Sequence, residues 1–376
     1  MNIALVKLSS IGDVVHALPV AAALRTALPQ ARLAWIVERR EAAVLRGNVA
    51  LSEVVPVDTR GWRRFRSPLV VAETTGALVA LGRHLRASRF DVAIDLQGLV
   101  KSGVIAAATR APLRIGFAAT HCREPLNTLF SNRRVTPPPS AQHVVDRYLS
   151  LVEPLGVRAA AAEFSLPTDD AAEERVEEFL AGAGLKSRDR LVVLNPGAGR
   201  PDKRWPAVHF RGLARRLVHD AKASVLVTWG PHELGEARTI AGDDMAGRAA
   251  LAPPTSLDEL LAVLRRASVL VAGDTGPLHM AAALGTPCVG LYGPTSAARN
   301  GPYGQVHRAL ASPDGTMTGL AVEIVFRAVV DALERETSPN GNASRDGAAG
   351  EASPSKVQGS ASRDGAAGEA SPSKVL

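Results

Sequence analysis

Four short stretches combine residue types that handle anions, protons and sugar hydroxyls. Each lies where an apolar run gives way to a helix-forming one. The first, Lys7–His16 (KLSSIGDVVH), sets a small-residue turn with Ser10 and Gly12 ahead of Asp13. Such a turn points a helix N-terminus, with its free amides, at whatever lies beyond the strand end. Asp13 either presents its carboxylate to that ligand or caps those amides; local spacing favours neither. The turn is not GxGxxG, and no GxxxxGK[ST] occurs in the chain. Dinucleotide and ATPase readings therefore lose their main support.

The second stretch is Asn195–Pro206 (NPGAGRPDKRWP). Gly197 and Gly199, around Ala198, free the backbone for close approach, and Lys203 and Arg204 add charge just before a helix, a combination suited to a diphosphate. The third and sharpest is AGDTGPLH at 272–279. Asp274-Thr275-Gly276 opens a helix, so the amides of Thr275 and Gly276 would face an anion, and His279 lies one turn further on the same side. Asp274 is placed to accept hydrogen bonds from sugar hydroxyls. The fourth, Thr228–Glu233 (TWGPHE), offers Glu233 for a ribose hydroxyl or merely as a complement to a helix dipole. A basic segment, Arg60–Arg66 (RGWRRFR), interleaves Trp62 and Phe65 with four arginines; Lys101, Arg123, Arg133 and Arg134 fall in the same half of the chain. Arginines grip carboxylates and phosphates in bidentate fashion.

Alternating strands and helices must position these residues. Strands are predicted at Ile3–Leu8, Arg32–Glu38, Val54–Asp58 and Asp91–Leu96, with helices over Val14–Leu28 and Val70–Ala87. After VTPPPS at 135–140 and a helix over His143–Leu155, the rhythm restarts. Strands follow at Leu191–Leu194, Ser224–Thr228, Val269–Ala272 and Cys288–Tyr292, with helices near Pro206–His219, His232–Ile240, Ser256–Arg266 and Pro277–Leu284. The expected fold class is α/β: two doubly wound, mostly parallel sheets facing a cleft at their strands' carboxyl ends. The boundary is expected near 155–170, giving Rossmann-like domains over 1–160 and 161–336. The remainder, 337–376, carries ASRDGAAGEASPSKV twice and is expected to be a disordered tail.

The 376 residues are 46% apolar but only 4% aromatic, as suits parallel strands packed under helices. Cys122 and Cys288 stand far apart without zinc spacing, so two free thiols and no metal are expected. The apolar segment 14–24 follows Lys7 and Asp13 and is not read as a signal peptide, and no run is long enough to span a membrane. A cytoplasmic location is expected. A net charge of +7 predicts anionic partners.

Taken in order, VKLSSIGDVVHALPV, DLQGLVKSG, REPLNTLF, DKRWP, WGPHE and DTGPLHMAAALGTPCVGLYGPT resemble glycosyltransferase family 9 through roughly nine-tenths of the chain. The resemblance implies the GT-B architecture, with the acceptor domain first and the nucleotide-sugar domain second. It implies an inverting transfer of L-glycero-D-manno-heptose from ADP-heptose to Kdo of Kdo2-lipid A, in lipopolysaccharide inner-core biosynthesis. Asp13 would then be the general base, and Lys203 would neutralise the leaving diphosphate. Ala198, Gly199, Glu233, Thr255, Asp274, Thr275, Gly276 and His279 would join Lys203 around the donor. Ser10, Gly12, Arg60, Arg63, Arg64, Lys101 and Arg123 would hold the acidic acceptor. No cofactor or metal is implied. The lipid acceptor and the basic charge together imply peripheral contact with the anionic cytoplasmic face of the inner membrane.

Two sites depart from the enterobacterial pattern: Ala198 and Gly199 replace hydroxyl residues, and Thr255 replaces a methionine. These bear on which nucleotide or heptose isomer is used, so a family 9 enzyme with another acceptor or sugar nucleotide is the near alternative. A nucleic-acid-binding protein using Arg60–Arg66 would leave Lys203 and Asp274 without a role, and no nucleic-acid partner is expected.

Overall fold

The structure, a computed structural model, describes residues 1–59, 61, 68–185, 190–242, 245 and 247–336. The repeated segment at 337–376 and Arg60, Arg63 and Arg64 lie outside the described residues.

The first half runs β1 (Asn2–Val6), α1 (Ile11–Ala27), β2 (Arg32–Glu38), β3 (Glu53–Val57), α2 (Pro68–Ala87), β4 (Val92–Asp95), α3 (Val100–Ala108), β5 (Leu113–Phe117), β6 (Arg133–Val135) and α4 (Val144–Leu149). The second runs α5 (Asp170–Gly182), β7 (Leu191–Asn195), α6 (Ala207–His219), β8 (Ser224–Val227), α7 (Leu234–Ala241), β9 (Ala249–Leu251), α8 (Leu257–Arg266), β10 (Val269–Gly273), α9 (Gly276–Ala283), β11 (Cys288–Tyr292), α10 (Ala297–Asn300), β12 (Arg308–Ala311) and α11 (Val322–Glu336).

Each half builds a six-stranded sheet, in the orders β3-β2-β1-β4-β5-β6 and β12-β11-β10-β7-β8-β9. Among the described residues the neighbouring strands pair in parallel. The inner strands β4, β7, β8, β10 and β11 are buried on both faces, which explains the uninterrupted apolar runs of β7 (LVVLN) and β10 (VLVAG). Each chain half starts at a central strand, moves outward, then returns to the other side of that strand. The resulting reversals, between β1 and β4 and between β7 and β10, open crevices at the strands' carboxyl ends.

Helices α1 and α9 join the two sheets. Both are apolar nearly all round, as a helix walled on every side must be. One apolar cluster runs from Ile3 and Leu5 through Val14, Leu18, Leu278 and Met280 to Leu270 and Ala272. Their first turns meet: a Cβ on Gly12 would sit 2.6 Å from Cδ2 of His279, and one on Gly276 would collide with Cγ2 of Ile11. Polar ties add to this seam. His143 Nε2 donates to the carbonyl of Gly301 at 2.9 Å, the Tyr303 hydroxyl donates to Asp146 at 2.8 Å, and Arg46 pairs with Asp258 at 2.6 Å.

Pro19 stays inside a continuous α1 rather than ending it. The helix expected over His143–Leu155 tightens after Leu149 into a 3-10 segment, Ser150–Leu155, that contains Pro154. Regular structure stops at Val135, just before the three prolines.

Candidate active site in the cleft

Beyond β1, the loop is clipped to the loop beyond β4. The Gln97 side-chain carbonyl accepts from the backbone N–H groups of Leu8 (3.0 Å) and Ser9 (3.3 Å), and its amide donates to the Ser9 carbonyl at 2.7 Å. Gln97 is itself fixed by the fully buried Asp95. That carboxylate accepts from the N–H groups of Gln97 and Gly98, from the Ser102 hydroxyl and from the Asn127 amide. Burial raises the Asp95 pKa, and these four bonds work against the rise.

Asp13 occupies the first turn of α1, with Ser10 as the capping residue. Its Oδ2 accepts from the Ser10 N–H at 3.0 Å and the Ser10 hydroxyl at 2.9 Å. Its Oδ1 faces Lys7 Nζ at 3.7 Å. Lys7 is buried and donates to the Tyr148 hydroxyl at 2.6 Å and the Leu96 carbonyl at 3.3 Å. Burial opposes the Lys7 charge, but the Tyr148 oxygen and the Asp13 carboxylate outweigh it and hold its pKa above the ordinary lysine value. Burial likewise pushes the Asp13 carboxyl up; Lys7, the two Ser10 hydrogen bonds and the Arg123 charge outweigh that and keep it below the usual carboxylate value.

Opposite stands Lys203, which ends a short 3-10 turn after β7. Its Nζ donates to Asp274 Oδ2 at 2.7 Å. Gly273 lets the two loops touch, because a Cβ there would lie 2.9 Å from the Lys203 carbonyl. The other Asp274 oxygen meets His279 Nε2 at 3.1 Å. Burial favours the neutral acid at Asp274, but His279 and Lys203 prevail and bring its pKa down to about 2. Thr275 caps α9, whose first turn opens beside that of α1.

These groups share a cavity of about 550 Å³. From the first half it is lined by Ser10, Gly12, Asp13 and Arg123, and from the second by Lys203, Asp274, Thr275, Gly276 and His279. His16 closes its floor, with its ring centroid 4.1 Å from that of His279. Burial and the neighbouring histidines hold the His16 pKa well below the ordinary value, so it is neutral at pH 7. A carboxylate and a lysine–aspartate pair, on opposite walls of one polar cleft, can take up a proton and meet a developing negative charge.

The family model for glycosyltransferase family 9 (heptosyltransferase) matches residues 78–321. The chain is 33% identical to lipopolysaccharide heptosyltransferase 1 of Salmonella typhimurium, covering 87% of this chain and 99% of that protein. The chain belongs to glycosyltransferase family 9. The structure of the E. coli heptosyltransferase WaaC with ADP superposes on this family 9 enzyme with a TM-score of 0.73 at 30% identity, covering 88% of this chain and 100% of that one. The structure of WaaC with ADP-2-deoxy-2-fluoro heptose gives 0.70 at 31%, covering 88% and 99%. The paired six-stranded sheets are thus those of a GT-B glycosyltransferase.

Not every expected residue of this glycosyltransferase lines the cavity. Ala198, Gly199, Glu233 and Thr255 stand further along the same sheet edge, beyond β7, β8 and β9. The Ala198 carbonyl accepts from Arg204, and Glu233 accepts from the Gly230 N–H at 2.8 Å and from Arg204 at 3.4 Å. A side chain at Gly197 would collide with Glu233. Lys101 points to Thr59 (3.2 Å) and Glu38 (3.5 Å) and is absent from the lining.

The cavity also contains groups that sequence reasoning did not single out: Lys7, His16, Tyr148, Arg147, Arg200 and Arg299. Lys7 had a signal, since a charged residue closing an apolar strand must find a partner. Tyr148 had none, lying 141 residues from the lysine it meets.

Proposed function

We propose that the enzyme transfers L-glycero-D-manno-heptose from ADP-heptose to a Kdo hydroxyl of Kdo2-lipid A, in assembly of the lipopolysaccharide core. One observation carries the reading: Asp13 and Arg123 of the first half share a cavity with Lys203, Asp274 and His279 of the second. It is supported by relatives named heptosyltransferase 1 and by the ADP and ADP-sugar analogue in the WaaC structures.

In this proposal residues 161–336 bind the donor and residues 1–160 the acceptor. The diphosphate lies against Lys203 and the Thr275 and Gly276 amides, and the nucleoside follows the sheet edge past Gly199 towards Glu233 and Thr255. Asp274 holds Lys203 in place and offers an acceptor to sugar hydroxyls. Arg123 pairs with the acidic acceptor.

As the acceptor oxygen attacks the anomeric carbon, Asp13 takes its proton. The bond from that carbon to the diphosphate oxygen breaks, its electron pair leaves with ADP, and the configuration inverts. Lys203 stabilises the charge that then grows on the phosphate, an electrostatic contribution. Asp13 is ionised before substrate arrives. An acidic acceptor that neutralises Arg123 relieves one of the charges depressing its pKa, so binding raises its basicity.

Among the described residues no helix is long and apolar enough to cross a membrane. The lipid acceptor is therefore reached, in this proposal, by peripheral contact with the anionic cytoplasmic face of the inner membrane.

The test is a transfer assay on Kdo2-lipid A with ADP-, GDP- and UDP-sugars, with the anomeric configuration of the product read by NMR. Turnover of ADP-heptose with inversion is expected. Turnover of a UDP-sugar with none of ADP-heptose would overturn the donor assignment.

A further inference from the structure

The segment after Arg123 forms a 3-10 helix, Pro125–Phe130. With three residues per turn, side chains at i and i+3 eclipse, so this helix sorts its residues into three columns. Asn127 and Phe130 form the inner column. Asn127 is fully buried and donates to Asp95 at 2.6 Å and to the Leu99 carbonyl at 2.7 Å. Phe130 packs so tightly over α3 that a Cβ on Gly103 would lie 2.6 Å from its ring. Pro125 and Thr128 form a second column, closed by the Thr128 hydroxyl donating to the Pro125 carbonyl at 2.8 Å.

The third column is Leu126 and Leu129, which are 66% and 73% exposed. A single exposed leucine needs no explanation. Two in one eclipsed column, on a helix pinned from beneath by a buried asparagine, make a fixed apolar ridge. The chain around it is cationic, and Arg114 and Arg134 donate to carbonyls of the helix itself. Residues 110–140 hold five arginines (Arg110, Arg114, Arg123, Arg133 and Arg134) and one acid, Glu124. Glu124 is engaged with the Val100 N–H at 2.7 Å. Arg133 and Arg134 are exposed on the adjoining strand, and Arg134 lies back along the helix, donating to the Thr128 carbonyl at 3.0 Å. The ridge begins three residues after Arg123, which lines the cleft.

We infer that Leu126 and Leu129, framed by Arg133 and Arg134, are the surface by which this enzyme sits on an anionic lipid bilayer. Leucines enter the boundary between headgroups and acyl chains, while the arginines pair with lipid phosphates. The inference rests on the proposed lipid acceptor and names the face that meets it. It also gives the position a purpose: a protein resting on this ridge holds the mouth of its cleft close to the headgroups.

The experiment compares the full chain with the L126D/L129D variant, both residues being outside the cavity lining. Sedimentation with phosphatidylcholine vesicles containing about 30% phosphatidylglycerol should show salt-sensitive binding by wild type, at least tenfold weaker in the variant. Turnover of acceptor embedded in such vesicles should fall at least tenfold, while turnover of the same acceptor stripped of its acyl chains stays within twofold. In a second variant, L129W, the added tryptophan emission should shift to the blue on mixing with these vesicles. Equal vesicle binding by wild type and L126D/L129D, the result expected if the ridge instead docks a protein, would overturn the inference, as would an unshifted L129W spectrum. Absence of wild-type turnover on both forms of the acceptor would instead count against the proposed reaction and leave the vesicle result standing.

Discussion

Lys7 and Asp13 leave opposite ends of one loop and face each other at 3.7 Å, the lysine buried and the carboxylate about one-third exposed at the cavity wall. Burial would drive both towards their neutral forms; together they remain ions. A positive charge fixed behind a carboxylate keeps it deprotonated over a wide pH range.

The first prediction concerns pH. The Asp13 pKa is depressed, so the acid limb of kcat/KM for wild type should lie below the ordinary carboxylate value of about 4. Lys7→Met removes the principal charge that lowers it, and burial then raises the pKa. The acid limb should move up. A limb that stayed in place in Lys7→Met, with the variant folded, would show that Asp13 does not govern the profile.

Asp13→Asn tests the base directly. Asparagine keeps the size of the side chain and loses its basicity. Turnover should drop by about 10²–10⁴-fold, the usual worth of general-base assistance, while the calorimetric affinity for ADP changes by less than about threefold. Wild-type turnover in this variant would rule out the proposed proton acceptor.

Lys203 and Asp274 should behave as a unit. Lys203→Met is expected to weaken ADP binding at least tenfold and to lower kcat as well, because the charge on the phosphate grows in the transition state. Asp274 adds a stability signature. Its folded pKa of about 2 lies below the ordinary 3.8, so its stabilisation is complete above about pH 4 and is lost as pH falls towards 2. Asp274→Asn should therefore lower the melting temperature clearly at pH 7 and much less near pH 2.5. A pH-independent difference would contradict the ion pair.

Gly12→Ala decides between two effects of opposite sign. In an open helix the change stabilises by about 0.5–1 kcal/mol. Here the new methyl carbon would lie 2.6 Å from the His279 ring, and overpacking of that kind costs about 1–3 kcal/mol. The variant should melt earlier and lose activity. A higher melting temperature would mean that the seam between α1 and α9 yields easily.

Strands β1, β2, β4, β7, β8, β10 and β11 were legible because buried parallel strands are apolar throughout, and β3 was read as well, whereas β5 (Leu113–Phe117) and β12 (Arg308–Ala311), each with an arginine in its run, were not. Arg32–Glu38 and Cys288–Tyr292 carry the predicted bounds. Short edge strands such as Arg133–Val135 and Ala249–Leu251 were not, since half-exposed residues leave no apolar run to read. At the site, Asp13, Lys203 and Asp274 announced themselves as polar groups at strand ends. Gln97 did not, although it clips the Asp13 loop; its role depends on a partner 88 residues away. Lys101, expected at the acceptor from the family resemblance, meets Thr59 and Glu38 instead of the cavity, a pairing between residues 42 and 63 positions apart that no local pattern announces. Arg60, Arg63 and Arg64 lie outside the described residues.

The reciprocal notches at Gly12 and Gly276 put a close crossing of the two halves beside the polar groups of the cleft rather than at its rim. For any rocking about that crossing, displacement grows with distance from it. Asp13, Asp274 and His279, at its centre, would then keep their mutual spacing, while the outlying Arg204–Glu233 edge and the Leu126–Leu129 ridge would swing through longer arcs. A hinge placed there would let the rims of the cleft open and close while the spacing of the polar groups at its base is preserved.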